Sequence, residues 1–157
     1  MFKTILWATD GSGTADQALP YAKGLAEGPD TTLVVVHVKE LLVGRSGGYP
    51  VYADEDELVA KIKAQVDELR ETGVATTLKL ITATTHGPAY VVAELAGEVG
   101  ADVVVVGTRG HGPLAGALLG SVAQHLLHDA PCPVLAVPPL RTAAPVETEP
   151  ETAALAH

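Results

Sequence analysis

Residues 103–138 read VVVVGTRGHGPLAGALLGSVAQHLLHDAPCPVLAVP, and this stretch decides the fold. Val103 to Val106 form a β-branched apolar run of the kind buried on both faces of a parallel sheet. The run ends in Gly107; Gly110 follows after two residues, and Gly120-Ser121 after nine more. Ser121 to Asp129 has helical character, and Pro133 to Val137 reads as another short strand. An apolar strand thus opens into a glycine loop that feeds a helix. Bare backbone N–H groups and a helix N-terminus meet at one point, which suits an anion such as phosphate.

The same alternation extends back to the N-terminus. Phe2 to Ala8 reads as a first strand, and Ser12 to Glu27 carries Ala15, Ala18, Leu19, Ala22, Leu25 and Ala26 at helical spacing. Pro20 should kink that helix or mark its first turns. Thr32 to Val38 is a second strand, and Leu41 to Ala53, with Gly44, Gly47, Gly48 and Pro50, reads as a long loop. A helix beginning at Asp54 has acids in its first turn, a buried stripe of Leu58, Ile62, Val66 and Leu69, and a stop at Gly73. Thr76 to Thr82 is a third strand. Gly87 to Val99 is a helix with Val91, Val92, Leu95 and Val99 inward, and Asp102 to Val106 is the fourth strand. Strands alternating with helices predict an α/β fold, a single open parallel sheet of five strands with helices on both faces. We expect one domain over residues 1–140. The remainder, 141–157, loses the pattern; its one Arg and three Glu hold two of the nine net negative charges, and it reads as a disordered tail.

Composition narrows the function. A chain of 157 residues, 47% apolar, has room for a real core. Its net charge is −9 and its ten Lys and Arg are scattered, which argues against a nucleic-acid polymer as partner. A single cysteine, Cys132, excludes an internal disulfide and fits a reducing compartment. No apolar run reaches the ~18 residues of a spanning helix, and no secretory leader pattern precedes the first strand, so a cytoplasmic location without membrane contact is expected.

The glycine loop has two readings. As a phosphate loop, Gly107, Gly110 and Gly120 remove side chains where backbone approaches a ligand, while Ser121 adds a hydroxyl and Val122 a first-turn N–H. As an ordinary surface loop, Ser121 and Gln124 make an S-x-x-Q capping box, and Gly112, Gly116 and Gly120 recur at helix-packing spacing. Position favours the first, because the loop leaves the carboxyl end of a strand, where open α/β sheets bind ligands. The chain lacks G-x-x-x-x-G-K-[ST] and has no Lys after Lys79, which argues against a P-loop phosphotransferase. Gly110, Gly112 and Ala115 match G-x-G-x-x-A, yet the next strand ends in proline with no acid for a ribose.

Taken together, these segments resemble the universal stress protein family. Its nucleotide-binding branch carries G-x-x-G, nine residues, then G-[ST], here Gly107-Thr108-Arg109-Gly110 and Gly120-Ser121. ILWATDGS at 5–12 resembles the family's first strand end, VVVHV at 34–38 its second strand, and HDAPCPVLAVP at 128–138 its last. Ala8 stands where many nucleotide-binding members have proline. The resemblance implies an adenine nucleotide, ATP with or without magnesium, at the switch point of the sheet. It places adenine at Val38, the ribose at Asp10, and the phosphates at Gly107, Gly110, Gly120, Ser121 and Val122. It also implies a homodimer through Pro133–Val137. With it we expect strand order 3-2-1-4-5 and a regulatory ATP-binding role in stress. The alternatives are a cyclic AMP or AMP binding module, a slow ATPase, and a nucleotide-free interaction protein.

Other residues carry weaker signals. Asp10-Gly11-Ser12 also reads as a turn capping a helix. Arg109 and His111 are the cationic candidates of the loop. His125 and His128 stand at i and i+3 with no third metal ligand in view, so a packing or surface role is expected. His37 lies in an apolar strand and should be a hydrogen-bonded core histidine, Cys132 a small apolar filler. Tyr49 and Tyr52 could fold over a base or stay exposed. No settled catalytic base is visible.

Overall fold

The structure, a computed structural model, describes residues 1–44, 47–50, 54–109 and 119–140. Ten elements follow one another: β1 (Thr4–Ala8), α1 (Gly13–Leu25), β2 (Thr32–Gly44), β3 (Gly47–Pro50), α2 (Glu55–Glu71), β4 (Thr76–Ala83), α3 (Pro88–Glu98), β5 (Val103–Gly107), α4 (Ser121–Asp129) and β6 (Val134–Val137). Five of the strands pair in parallel in the order β4-β2-β1-β5-β6. Counted without the short β3, this is the expected 3-2-1-4-5.

The strand sequences alternate between two cores because successive side chains leave a strand on opposite faces. Ile5, Trp7, Leu33, Val35, Val103 and Val105 point to α1 and α2, against Ala18, Ala22, Ile62, Val66 and Leu69. Leu6, Ala8, Val34, Val36, Val104 and Val106 point to α3 and α4, against Val92, Leu95, Ala96, Ala123 and Leu126. The central strands therefore read as unbroken apolar runs. Each such Val, Leu or Ile, fully buried, contributes about 1.5–3 kcal/mol. The predicted stripe of α2 is buried as expected. On α3, Val91 and Val99 are half-buried instead, and Ala96 joins Val92 and Leu95 inside.

Two expectations are corrected. Residues 41–50 are not simply a loop: β2 runs on to Gly44, and Leu41–Gly44 pairs antiparallel with Gly47–Pro50, opposing Leu42 to Tyr49 and Val43 to Gly48. A glycine- and proline-rich stretch can still form a two-stranded ribbon when its partner is two residues away. Pro20 does not sit in the first turns of α1; it lies exposed within the helix, which continues past it to Leu25. The expected tail at 141–157, together with Gly110, His111, Gly112, Ala115, Gly116 and Tyr52, lies outside the described residues.

Candidate functional site

A crevice opens where backbone hydrogen bonds diverge. β1 and β5 pair from Ile5 opposite Val103 to Ala8 opposite Val106 and then part. The next N–H of β1, from Thr9, donates to the Val36 carbonyl on β2 at 3.0 Å; that of Thr108 donates to the Val137 carbonyl on β6 at 2.9 Å. These bonds continue the alternation of each central strand toward its outer neighbour, and the β1–β5 pairing itself ends at Ala8 and Val106. The direction of winding also reverses here, since α1 and α2 cover one face and α3 and α4 the other. Open α/β sheets place ligands at such a switch point.

On the β1 side, Asp10 shapes a turn. Its Oδ1 accepts from the Ser12 N–H at 2.9 Å, and Thr9 Oγ1 accepts from the Gly11 N–H at 3.1 Å. Ser12 then caps α1, its Oγ accepting from the Ala15 N–H at 3.2 Å. Gly11 has φ +76°, and a Cβ there would fall 2.7 Å from Leu58 Cδ2, so the turn requires glycine. Lys61 donates to the Gly11 carbonyl at 2.8 Å and bridges to Asp16. The turn role of Asp10 is thus in place.

On the β5 side, Gly107 is buried against α1: a Cβ would lie 3.0 Å from the Thr14 carbonyl oxygen. The Thr108 carbonyl accepts from the Gly120 N–H at 2.5 Å, which draws the start of α4 to the end of β5. Gly120 is the N-cap, with φ −72° and ψ 162°, and its carbonyl accepts from the Gln124 N–H at 3.0 Å. The S-x-x-Q capping box is therefore out of register, because Ser121 is the first helical residue and not the cap. Gly120 has no side chain to satisfy the first turn, and the N–H groups of Ser121, Val122 and Ala123 have no intrahelical acceptor. These donors and the positive end of the helix dipole stand at the crevice. Arg109 is exposed beside them. Thr108, passed over as a spacer in the sequence motif, is buried, and its Oγ1 has no hydrogen-bond partner.

Val38 extends the same sheet edge from β2, half-buried and opposite Ile81. Ala8 is packed into the α3–α4 core and offers the crevice only backbone. His37 is the buried, hydrogen-bonded histidine expected. Its Nδ1 donates to the Thr9 carbonyl at 2.9 Å, and its Nε2 lies 2.5 Å from Glu55 Oε1. Sequence reading left that partner unnamed, since nothing in an 18-residue separation marks Glu55 as more than a first-turn acid.

The remaining candidates stand apart. His125 Nδ1 contacts the Ser121 carbonyl of its own helix at 2.9 Å, His128 is exposed, and no metal-binding trio of His, Cys, Asp or Glu occurs among the described residues. Cys132 is half-buried against the α3–α4 core, and burial, with Asp102 nearby, raises its thiol above the usual range. An open groove of about 630 Å³ runs between α3 and α4, lined by Ala89, Tyr90, Ala93, Gly97, His125 and Pro131 among others. It contains none of the predicted site residues. Among the described residues no helix is long and apolar enough to cross a membrane.

The fold defines an α/β protein of the open-sheet type, with the N-terminus of α4 drawn to the end of β5. The model of the universal stress protein family matches residues 1–138, and the chain belongs to that family. It is 36% identical over 139 residues to a universal stress protein of Thermus aquaticus, covering 87% of this chain and 99% of the relative. A family member from Burkholderia pseudomallei superposes with a TM-score of 0.61 at 30% identity, over 87% of this chain and 96% of the other. A universal stress protein in complex with cAMP superposes with a TM-score of 0.64 at 25% identity, over 87% of this chain and 97% of the other.

Proposed function

We propose that the chain binds an adenine nucleotide, ATP foremost, in the crevice between β1 and β5, and acts as a regulatory protein of stress responses. One observation carries the reading: the side-chain-free N-terminus of α4, tied by Gly120 to Thr108, presents unshared N–H groups where the sheet reverses. Ser121 and Val122 hold phosphate through backbone, with Gly107 and Arg109 beside them; Gly110 shares this role as the family resemblance implies. Asp10 meets the ribose and the Val38 backbone the adenine edge, and magnesium accompanies the phosphates. The related complex with cAMP favours a second occupant of the same site, a cyclic nucleotide.

The same reading includes a homodimer through β6 and a cytoplasmic location. β6 pairs only with β5 among the described residues and leaves Leu135 exposed on an open edge. Calorimetric titration with ATP, AMP and cAMP tests the site. Wild type should bind and Gly120→Val should not, because a branched side chain blocks close backbone approach. Equal affinity in both proteins would refute it.

A further inference from the structure

His37 and Glu55 are each only 3% exposed. The imidazole faces an oxygen at both nitrogens, the Thr9 carbonyl at 2.9 Å from Nδ1 and Glu55 Oε1 at 2.5 Å from Nε2. A carbonyl cannot donate, so Nδ1 carries a proton. A neutral imidazole has no second proton, which would leave Nε2 a bare acceptor facing a carboxylate that is also only an acceptor. Two bare acceptors repel at that separation in a dry interior. A further proton therefore lies between Nε2 and Oε1. Glu55 is the first residue of α2, next to Asp54, Asp56 and Glu57.

We infer that His37 and Glu55 share this buried proton and act as positioning residues for the nucleotide crevice. The purpose rests on the nucleotide reading; the proton itself does not. Thr9 stands between Ala8 and Asp10, and His37 precedes Val38. Glu55 begins the helix whose Leu58 and Lys61 lie on the turn at Gly11. One hydrogen-bonded line thus joins the residue after β1 and the middle of β2 to the start of α2, and it fixes the backbone on which Asp10 and Val38 are carried. Charge-assisted bonds of this kind are shorter and stronger than neutral ones.

The test uses the full chain with ¹⁵N-labelled histidine. At about pH 7.5, where a free histidine is almost wholly neutral, Nδ1 should carry an ordinary N–H toward the Thr9 carbonyl, and a second proton, between Nε2 and Glu55 Oε1, should appear far downfield and be slow to exchange. In Glu55→Gln the amide N–H donates to Nε2 of a neutral ring, so the bridge survives without the shared proton. The amide signals of Thr9, Asp10 and Val38 should hold their positions, and ATP affinity should stay within about threefold. In Glu55→Ala those signals should move and affinity should fall about tenfold or more, as for the loss of one hydrogen bond to a charged group. Absence of that downfield proton in wild type overturns the inference, as does Glu55→Ala with unmoved amides. If wild type binds no ATP, the nucleotide reading falls, and the ring and amide signals alone decide the bridge.

Discussion

Replacing Gly107 with alanine should destabilise the fold even without ligand. The added methyl would meet the Thr14 carbonyl oxygen at 3.0 Å and its carbon at 3.1 Å, both helical backbone that cannot rotate away. Comfortable packing is about 3.5–4.0 Å, so α1 has to retreat by roughly half an ångström. That helix holds Ala15, Ala18 and Ala22 in the core, and the shift loosens all three. Overpacking of this size costs about 1–3 kcal/mol. Removing a glycine from a strand returns about 0.5–1 kcal/mol, for a net loss of up to about 2.5 kcal/mol. Urea unfolding should show a lower midpoint with an unchanged slope, and melting should fall by about 2–4 °C per kcal/mol. Gly24, exposed in α1 with nothing near its missing Cβ, is the control: Gly24→Ala should stabilise by up to about 1 kcal/mol. Wild-type stability in Gly107→Ala would refute the packing argument and leave ligand approach as the only reason for that glycine.

Three further outcomes are expected. The N–H groups of Thr4 and Lys3 hold the Asp102 carboxyl below its ordinary 3.8; its contribution is complete above that value and is lost as pH falls through the lower folded one. The stability gap between wild type and Asp102→Asn should therefore close in acid, and a gap constant from neutral to strongly acid pH would count against it. Leu135→Lys should weaken a dimer built on β6, read by sedimentation; a wild type that is strictly monomeric at micromolar concentration contradicts the dimer. A stop after Leu140 should leave ATP affinity and melting unchanged, and loss of binding in that truncation would place part of 141–157 in the site.

The central strands were legible because a strand buried on both faces leaves an unbroken apolar run, as in Val103 to Val106. α2 was legible through its stripe of Leu58, Ile62, Val66 and Leu69. The ribbon at 41–50 was hidden by its own glycines and by Pro50, which read as loop although Gly44 and Gly47 are two-residue hairpin neighbours. At the site, the spacing of Gly107, Gly120 and Ser121 located the crevice but not the helix register. Gly120 and Ser121 are both acceptable caps, and only the extended backbone of Gly120, with its carbonyl taking the Gln124 N–H, decides between them. The His37–Glu55 bridge had no local signal at all, because two chain segments meet there through the tertiary fold. Gly107 carried a second meaning invisible in sequence, the close approach of α1.

The most direct measurement is an amide-resolved titration of the full chain with ATP. The account predicts that the largest changes fall on the backbone N–H signals of Ser121, Val122 and Ala123 at the start of α4, with Asp10 after β1 and Val38 within β2 responding as well. Saturable ATP binding that leaves those α4 amides unmoved, or no binding at all, would contradict it.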